Sequence, residues 1–164
     1  MATNHEIEFK QMITASIYNK LQEKYFKDSV LFKQVNYYID TPDFKLKEHR
    51  SALRIRVKDN QYEMTLKTPA KVGLLEYNYI VDIKPEMNLI ISNDNLPDDI
   101  RQIIVEQFGV KDTTLSILGA LTTYRQETKY KGDLLVLDKS EYFDTADYEL
   151  ELSLIHIWRC RRRG

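Results

Sequence analysis

The sequence predicts an α+β domain dominated by antiparallel sheet, and three observations carry that expectation. Eight segments have strand character, two turn sequences join neighbouring strands too closely for a crossover, and only two segments show helical periodicity. The 164 residues include 24 Lys plus Arg, 25 Asp plus Glu and 43% apolar residues. A chain of this size forms one ordinary domain and buries roughly two-thirds of its unfolded surface without staples. Its single cysteine, Cys160, excludes an internal disulfide framework and a Cys-rich zinc site.

Strands are expected near 5–11, 32–39, 51–58, 61–68, 75–84, 119–130, 134–142 and 146–152. Asp59-Asn60 joins two alternating runs as a tight hairpin, and Lys131-Gly132-Asp133 joins the next-to-last pair. The first helix follows Thr14 as N-cap, with Ile13 and Tyr18 placed as a hydrophobic staple. Its residues Ile17, Leu21 and Tyr25, four apart, form a stripe that should cover one sheet face. The second helix runs from Pro97 through Ile100, Ile103, Ile104 and Phe108 to Gly109 as its stop. Apolar runs are short and broken by charge, and the start, MATNHEIEFK, lacks a secretory stretch. A cytoplasmic protein with no membrane contact is expected.

Four of the 24 basic residues, Arg159, Arg161, Arg162 and Arg163, fall in the last six positions, leaving 20 against 25 acidic residues elsewhere. A mildly acidic body is not the footprint of a nucleic-acid binder. The tyrosines Tyr37, Tyr62, Tyr77, Tyr79 and Tyr148 fit strand packing better than base stacking. The run from Leu152 to Gly164 shifts abruptly to an apolar stretch and an arginine cluster. An exposed basic tail is one reading. The other, preferred because Leu152 to Ile157 look like the translation of a sequencing-library transposon end, is read-through of a truncated gene. The domain is therefore taken as residues 1–152, with 153–164 set aside as a tail that is not native.

Side chains alternate along a strand, so Glu6, Glu8 and Lys10 share a face, as do Arg54, Arg56 and Lys58. Glu63, Thr65 and Lys67 share another, then Arg125, Glu127 and Lys129, and finally Glu149 with Glu151. A solvated charged face explains any one of these strands. Segregation of sign is less ordinary: carboxylates occupy the first and last strands and cations the middle ones. Eight strands can close into an antiparallel β-barrel, bringing first and last together and removing exposed edges. If the charged faces line its interior, Glu6, Glu8, Glu149 and Glu151 face Arg54, Arg56, Lys67, Arg125 and Lys129. Four crowded carboxylates need a cation. Oxygen ligands without His or Cys select Mg²⁺ or Mn²⁺ over zinc, and the guanidinium and ammonium groups suit a ligand with several phosphate oxygens.

These residues resemble the CYTH family, the triphosphate tunnel metalloenzymes. Glu6-Ile7-Glu8-Phe9-Lys10 is similar to its ExExK signature, followed in order by Tyr38-Ile39-Asp40-Thr41-Pro42-Asp43, Ala52-Leu53-Arg54-Ile55-Arg56, Thr65-Leu66-Lys67, Arg125, Asp138 and Tyr148-Glu149-Leu150-Glu151. The resemblance covers roughly 5–151 and is nearest to the Bacillus-type branch often labelled adenylate cyclase. It implies an eight-stranded antiparallel barrel, the triphosphate tunnel, with flanking helices and here a shortened C-terminus. It also implies divalent-metal-dependent hydrolysis of inorganic tripolyphosphate or an organic triphosphate. By position, Lys10, Arg54, Arg56, Lys67 and Arg125 would bind phosphate, joined by Lys129 on the same face. Glu6, Glu8, Glu149 and Glu151 would hold Mg²⁺ or Mn²⁺, with Asp138 as a further ligand. Lys10, Arg56, Glu76 and Asp138 make the expected catalytic set. One departure is Asn78, which stands where many members carry a carboxylate.

The chain has no GxxxxGK[ST] or GxGxxG loop, so a phosphate site here must be built from side chains. His5, His49 and His156 are expected as surface residues, not catalysts. A non-catalytic carrier of polyphosphate or nucleotide, and an adenylate cyclase, are the alternatives. The expected partner is a triphosphate-containing small molecule, with no nucleic acid polymer, and the protein a monomer or homodimer.

Overall fold

The computed structural model describes residues 2–142 and 144–154, with residues 2–6 in backbone alone. The strands are β1 (Ala2–Glu6), β2 (Glu8–Ile13), β3 (Phe32–Asp40), β4 (Ala52–Lys58), β5 (Gln61–Pro69), β6 (Leu74–Ile80), β7 (Ile90–Ile91), β8 (Leu115–Tyr130), β9 (Asp133–Tyr142) and β10 (Thr145–Ser153). The helices are α1 (Ala15–Tyr25), α2 (Lys45–Glu48) and α3 (Asp98–Arg101), the last continuing as a π-helical turn over Gln102–Gln107. Two compact units result: Met1–His5 with Val35–Ala120, and Glu6–Gln34 with Leu121–Gly164.

In the first unit the strands run in the order β1-β6-β5-β4-β3, and β7 pairs with the start of β8. Antiparallel registers align Ile39 with Leu53 and Leu66 with Tyr77, and, one step along, Tyr37 with Ile55 and Met64 with Tyr79. Strand alternation therefore collects these apolar residues on one side. Ile55, Met64 and Leu66 there are 0% exposed, packed with Ile100, Ile104 and Phe108 of the α3 segment. Each such aliphatic side chain contributes about 1.5–3 kcal/mol by leaving water. The β4–β5 loop is the expected hairpin: Lys58 pairs with Gln61, and Asp59 and Asn60 take φ of 51° and 63°. Two left-handed residues match a turn of the kind that follows strand twist.

The second helix differs from the sequence expectation. Pro97 precedes the first turn and Gly109, at φ 70°, ends the segment as expected, but beyond Arg101 the helix widens to π geometry, with Phe108 N–H bonding to the Ile103 carbonyl at 3.1 Å. The short helix α2, unexpected from periodicity, is organised by Asp40. Its Oδ1 accepts from Thr41 N–H and Leu46 N–H at 2.7 and 3.0 Å, and its Oδ2 from Lys47 N–H at 3.2 Å. Thr41 Oγ1 accepts from Lys45 N–H and donates to Asp43 Oδ1. The Asp-Thr-Pro-Asp segment is thus a cap.

In the second unit the order is β8-β9-β10-β2. The run read as one strand over 5–11 is divided at Ile7, whose carbonyl accepts from Leu154 N–H at 2.9 Å. The loop after β8 is one residue shorter than expected: Asp133 already pairs with Tyr130, leaving Lys131 and Gly132 at φ 52° and 87°. Helix α1 starts at Thr14, whose Oγ1 accepts from Ile17 N–H at 3.2 Å. Its buried stripe is offset from the one expected. Tyr18 and Phe26 are buried against Leu137, with Ile13 and Leu21 beside them, while Ile17 and Tyr25 stay 45% and 38% exposed. The larger aromatics bring more area to the sheet, and Tyr18 packs on Tyr148 at 4.8 Å between ring centroids. Gln126 fastens the helix end, accepting from Gln22 at 2.8 Å and donating to the Phe26 carbonyl at 3.2 Å.

Among the described residues no helix is long and apolar enough to cross a membrane. Of the expected tail 153–164, residues 155–164, including His156 and Cys160, lie outside them, as do the side chains of His5 and Glu6.

Candidate functional site

Because alternation sends apolar residues of the first unit to one face, the polar ones assemble on the other. Register places Tyr38, Arg54, Thr65 and Asn78 in one cross-strand row, Asn36, Arg56, Glu63 and Ile80 in the next, and Lys67 opposite Glu76 in a third. The side chains are held by one another. Arg56 Nε–H donates to Asn36 Oδ1 at 3.0 Å, Thr65 Oγ1–H to Asn78 Oδ1 at 2.7 Å, and Lys67 Nζ lies 3.6 Å from Glu76 Oε2. Arg54 Nε is buried without a hydrogen-bond partner. Towards the hairpin end, Arg56, Lys58, Gln61 and Glu63 line a cleft of about 260 Å³. Arg54, Arg56, Lys67 and Glu76 are therefore brought onto one surface. Asn36, 4% exposed, was missed by the sequence reading; the alternation of β3, which puts it on the same face as Tyr38 and opposite Arg56, was its available signal.

In the second unit, register aligns Arg125, Asp138, Glu149 and Met12, then Glu127, Val136, Glu151 and Lys10, then Lys129, Leu134, Ser153 and Glu8. Arg125 grips Asp138 with two parallel bonds, Nε to Oδ1 at 2.8 Å and Nη2 to Oδ2 at 2.7 Å. Burial disfavours the guanidinium charge, but the hydrogen bonds and charge of Asp138 outweigh it and raise the Arg125 pKa. Glu8 and Glu151 form the other focus. Burial first, then the hydrogen bond and charge of Glu8, push the Glu151 carboxyl up to about 7, with Lys10 and Arg125 opposing. Lys10 Nζ lies 4.0 Å from Glu8 Oε1, and its side chain is half exposed. Lys129 and Glu127 are exposed on the same face. A hydroxyl pair that sequence reading missed, Thr123 and Ser140 at 3.2 Å, continues this face beyond Arg125.

A mainly apolar groove lined by Phe9, Leu21, Tyr25, Tyr130, Leu150 and Leu152, with Lys10 and Gln11 also on its wall, is bounded by no carboxylate. His49 accepts or donates through Nδ1 at the Lys45 carbonyl and stacks on Phe108 at 4.3 Å, a structural role.

The donor set fits a hard divalent cation. Glu8 and Glu151 present oxygen ligands only, and a cation between them would relieve the repulsion that, with burial, raises the Glu151 pKa. Among the described residues no group of three or more His, Cys, Asp and Glu converges on one point. Mg²⁺ needs no such cage, since it is commonly held by one or two carboxylates, waters and substrate phosphate oxygens.

The CYTH domain family model matches residues 4–155. The Bacillus subtilis (strain 168) protein named "Putative triphosphatase YjbK" is 34% identical over 158 residues, covering 92% of this chain and 78% of its own. A Bacillus halodurans crystal structure described as a "putative adenylate cyclase" is 25% identical with a TM-score of 0.74, covering 99% of this chain and 91% of that one. A Hippeastrum protein, described as a "putative adenylyl cyclase" with a dominant triphosphatase activity, is 21% identical with a TM-score of 0.65, covering 98% and 83%. The fold is the one the sequence led us to expect.

Proposed function

Since this chain belongs to the CYTH family, whose members bind triphosphate substrates and use divalent metal, we propose that it hydrolyses a triphosphate, inorganic tripolyphosphate or an organic triphosphate, with Mg²⁺ or Mn²⁺. The observation that carries this reading is the buried Glu8–Glu151 pair on a face shared with Lys10 and Arg125. Such a pair needs a cation, and the neighbouring cations need an anion. The triphosphatase names of the Bacillus subtilis and Hippeastrum proteins support the same choice.

Glu8 and Glu151 would hold the metal, with Glu6 and Glu149 completing its surroundings and Asp138, both oxygens engaged by Arg125, kept out of its ligand set. When bound, the metal supplies charge neutralisation on the phosphoryl oxygens and lowers the pKa of a bound water. Lys10, Arg54, Arg56, Lys67, Arg125 and Lys129 bind phosphate oxygens. Arg125 is oriented for this by the two bonds from Asp138, which fix its plane. Arg56 is similarly oriented by Asn36, and Lys67 by Glu76. In the reaction water adds to a terminal phosphorus, the P–O bond to the bridging oxygen breaks, and orthophosphate and diphosphate leave. Lys10 and Arg56 stabilise the charge that develops, while Glu76 and Asp138 hold Lys67 and Arg125 charged and in place. The protein would work in the cytoplasm as a monomer or homodimer on a small molecule.

Phosphate release is measured with tripolyphosphate, ATP and thiamine triphosphate, each with Mg²⁺ and Mn²⁺. Metal-dependent release from at least one supports the reading. Tight binding without release would make the protein a carrier, and cyclic AMP from ATP would make it a cyclase, as the name of the Bacillus halodurans protein suggests.

A further inference from the structure

Asn78 occupies the row Tyr38, Arg54, Thr65, Asn78 across β3 to β6. Thr65 is 1% exposed, so its hydroxyl proton must find an acceptor inside the protein. On one side its neighbour is Arg54, a side chain with donors only. On the other, Asn78 Oδ1 accepts that proton at 2.7 Å. This bond fixes the carboxamide: Oδ1 is engaged by Thr65, and the two Nδ2 hydrogens are what Asn78 offers beyond the sheet. At the other end of the same row, Arg54 Nε–H is buried with no hydrogen-bond partner. An unmade bond from a buried charged donor is costly. The row thus carries a guanidinium donor and a carboxamide donor flanking a hydroxyl, with no carboxylate in it. The adjoining Lys67–Glu76 pair balances its own charge.

From this arrangement we infer that Asn78 binds phosphate directly, as a neutral hydrogen-bond donor, and that the row Arg54–Thr65–Asn78 is a phosphoryl subsite that works without metal. The inference rests on the triphosphatase reading and deepens it. A carboxylate at position 78 would draw a cation and meet the phosphate through it; a carboxamide meets the phosphate itself. The metal role is then confined to the Glu8–Glu151 side of the chemistry. Phosphoryl oxygens, acceptors only and arranged around one centre, match two separated donors as no cation or amine could.

The test uses Asn78→Asp and Asn78→Ala in the full chain. Aspartate at this position still accepts from Thr65 but loses the two N–H donors and adds a charge, whereas Asn78→Ala removes the donors without adding one, so the pair of variants separates a donor role from repulsion. Tripolyphosphate binding is measured by calorimetry in EDTA, and the Mg²⁺ concentration for half-maximal phosphate release is measured separately. We expect binding about tenfold weaker in Asn78→Asp and about threefold weaker in Asn78→Ala, with the Mg²⁺ midpoint unchanged in Asn78→Ala. Wild-type binding by Asn78→Ala would overturn the donor role, because the loss in Asn78→Asp would then be charge repulsion alone. Intact binding of tripolyphosphate in EDTA by Asn78→Asp would overturn it as well. Absence of turnover in wild type would sink the hydrolase reading while leaving the calorimetry decisive for Asn78.

Discussion

Arg125 and Asp138 meet across the β8–β9 ladder through two parallel hydrogen bonds of 2.8 and 2.7 Å, both side chains more than four-fifths buried. A carboxylate committed to a guanidinium in this way orients a phosphate-binding cation. Asp138→Asn keeps the shape and removes the charge, leaving Arg125 buried with half its partner lost. The expected costs are on the order of 2–3 kcal/mol of stability and a rise in KM for triphosphate larger than the fall in kcat. Denaturant unfolding with steady-state kinetics checks both.

The Glu8–Glu151 pair makes the metal-free protein sensitive to pH. The Glu151 carboxyl is raised in the folded state to about 7 by burial and by Glu8. A raised acid binds its proton more tightly folded than unfolded, so the stabilisation is fully present below the unfolded pKa near 4.5 and is lost as pH rises through 7. In EDTA, the melting temperature should fall between pH 5 and pH 8, by an amount corresponding to roughly 1–2 kcal/mol after allowing for solvent screening. Glu151→Gln should flatten that dependence. Thermal melts across the pH series read it directly.

Asp40 predicts a contrast between fold and chemistry. Its carboxylate caps α2 with three backbone N–H groups. Asp40→Ala should cost about 1–2 kcal/mol and leave the KM for triphosphate at the wild-type value, although this residue lies within a segment that carries the family resemblance. A changed KM at full folding would place Asp40 in the site.

Much of the fold was legible because it follows from local chemistry. Asp59-Asn60 specifies its hairpin outright, since both residues tolerate the left-handed backbone the turn requires. The shared face of Arg54, Arg56 and Lys67 follows from a period of two, which the sheet cannot alter without moving Ile55 and Met64 into water. Helix α1 was misread by one position because four-residue spacing does not say which stripe carries the larger side chains; Tyr18 and Phe26 outcompeted Ile17 and Tyr25 through packing on Leu137. Helix α2 has four residues and no period to detect, existing because Asp40 collects its amides. The site was legible as a set of faces. The Arg125–Asp138 and Thr65–Asn78 partnerships were not, because they depend on cross-strand register, and register is set by turns and bulges spread along the chain.

For the basic face, Arg56→Lys keeps a charge but loses the Nε–H bond to Asn36 and the planar fork. Binding of tripolyphosphate should weaken about tenfold, and Arg56→Ala should weaken it further, with the Mg²⁺ midpoint unmoved in both. Equal binding by wild type and Arg56→Ala would show that this face is merely solvated.

The most direct measurement is phosphate release from tripolyphosphate by wild type and by Glu8→Gln and Glu151→Gln, titrated with Mg²⁺ and Mn²⁺. Saturable, metal-dependent release by wild type that is lost in both variants while they remain folded is the predicted result. Undiminished, metal-responsive release by the two variants would contradict the assignment of the metal to this carboxylate pair.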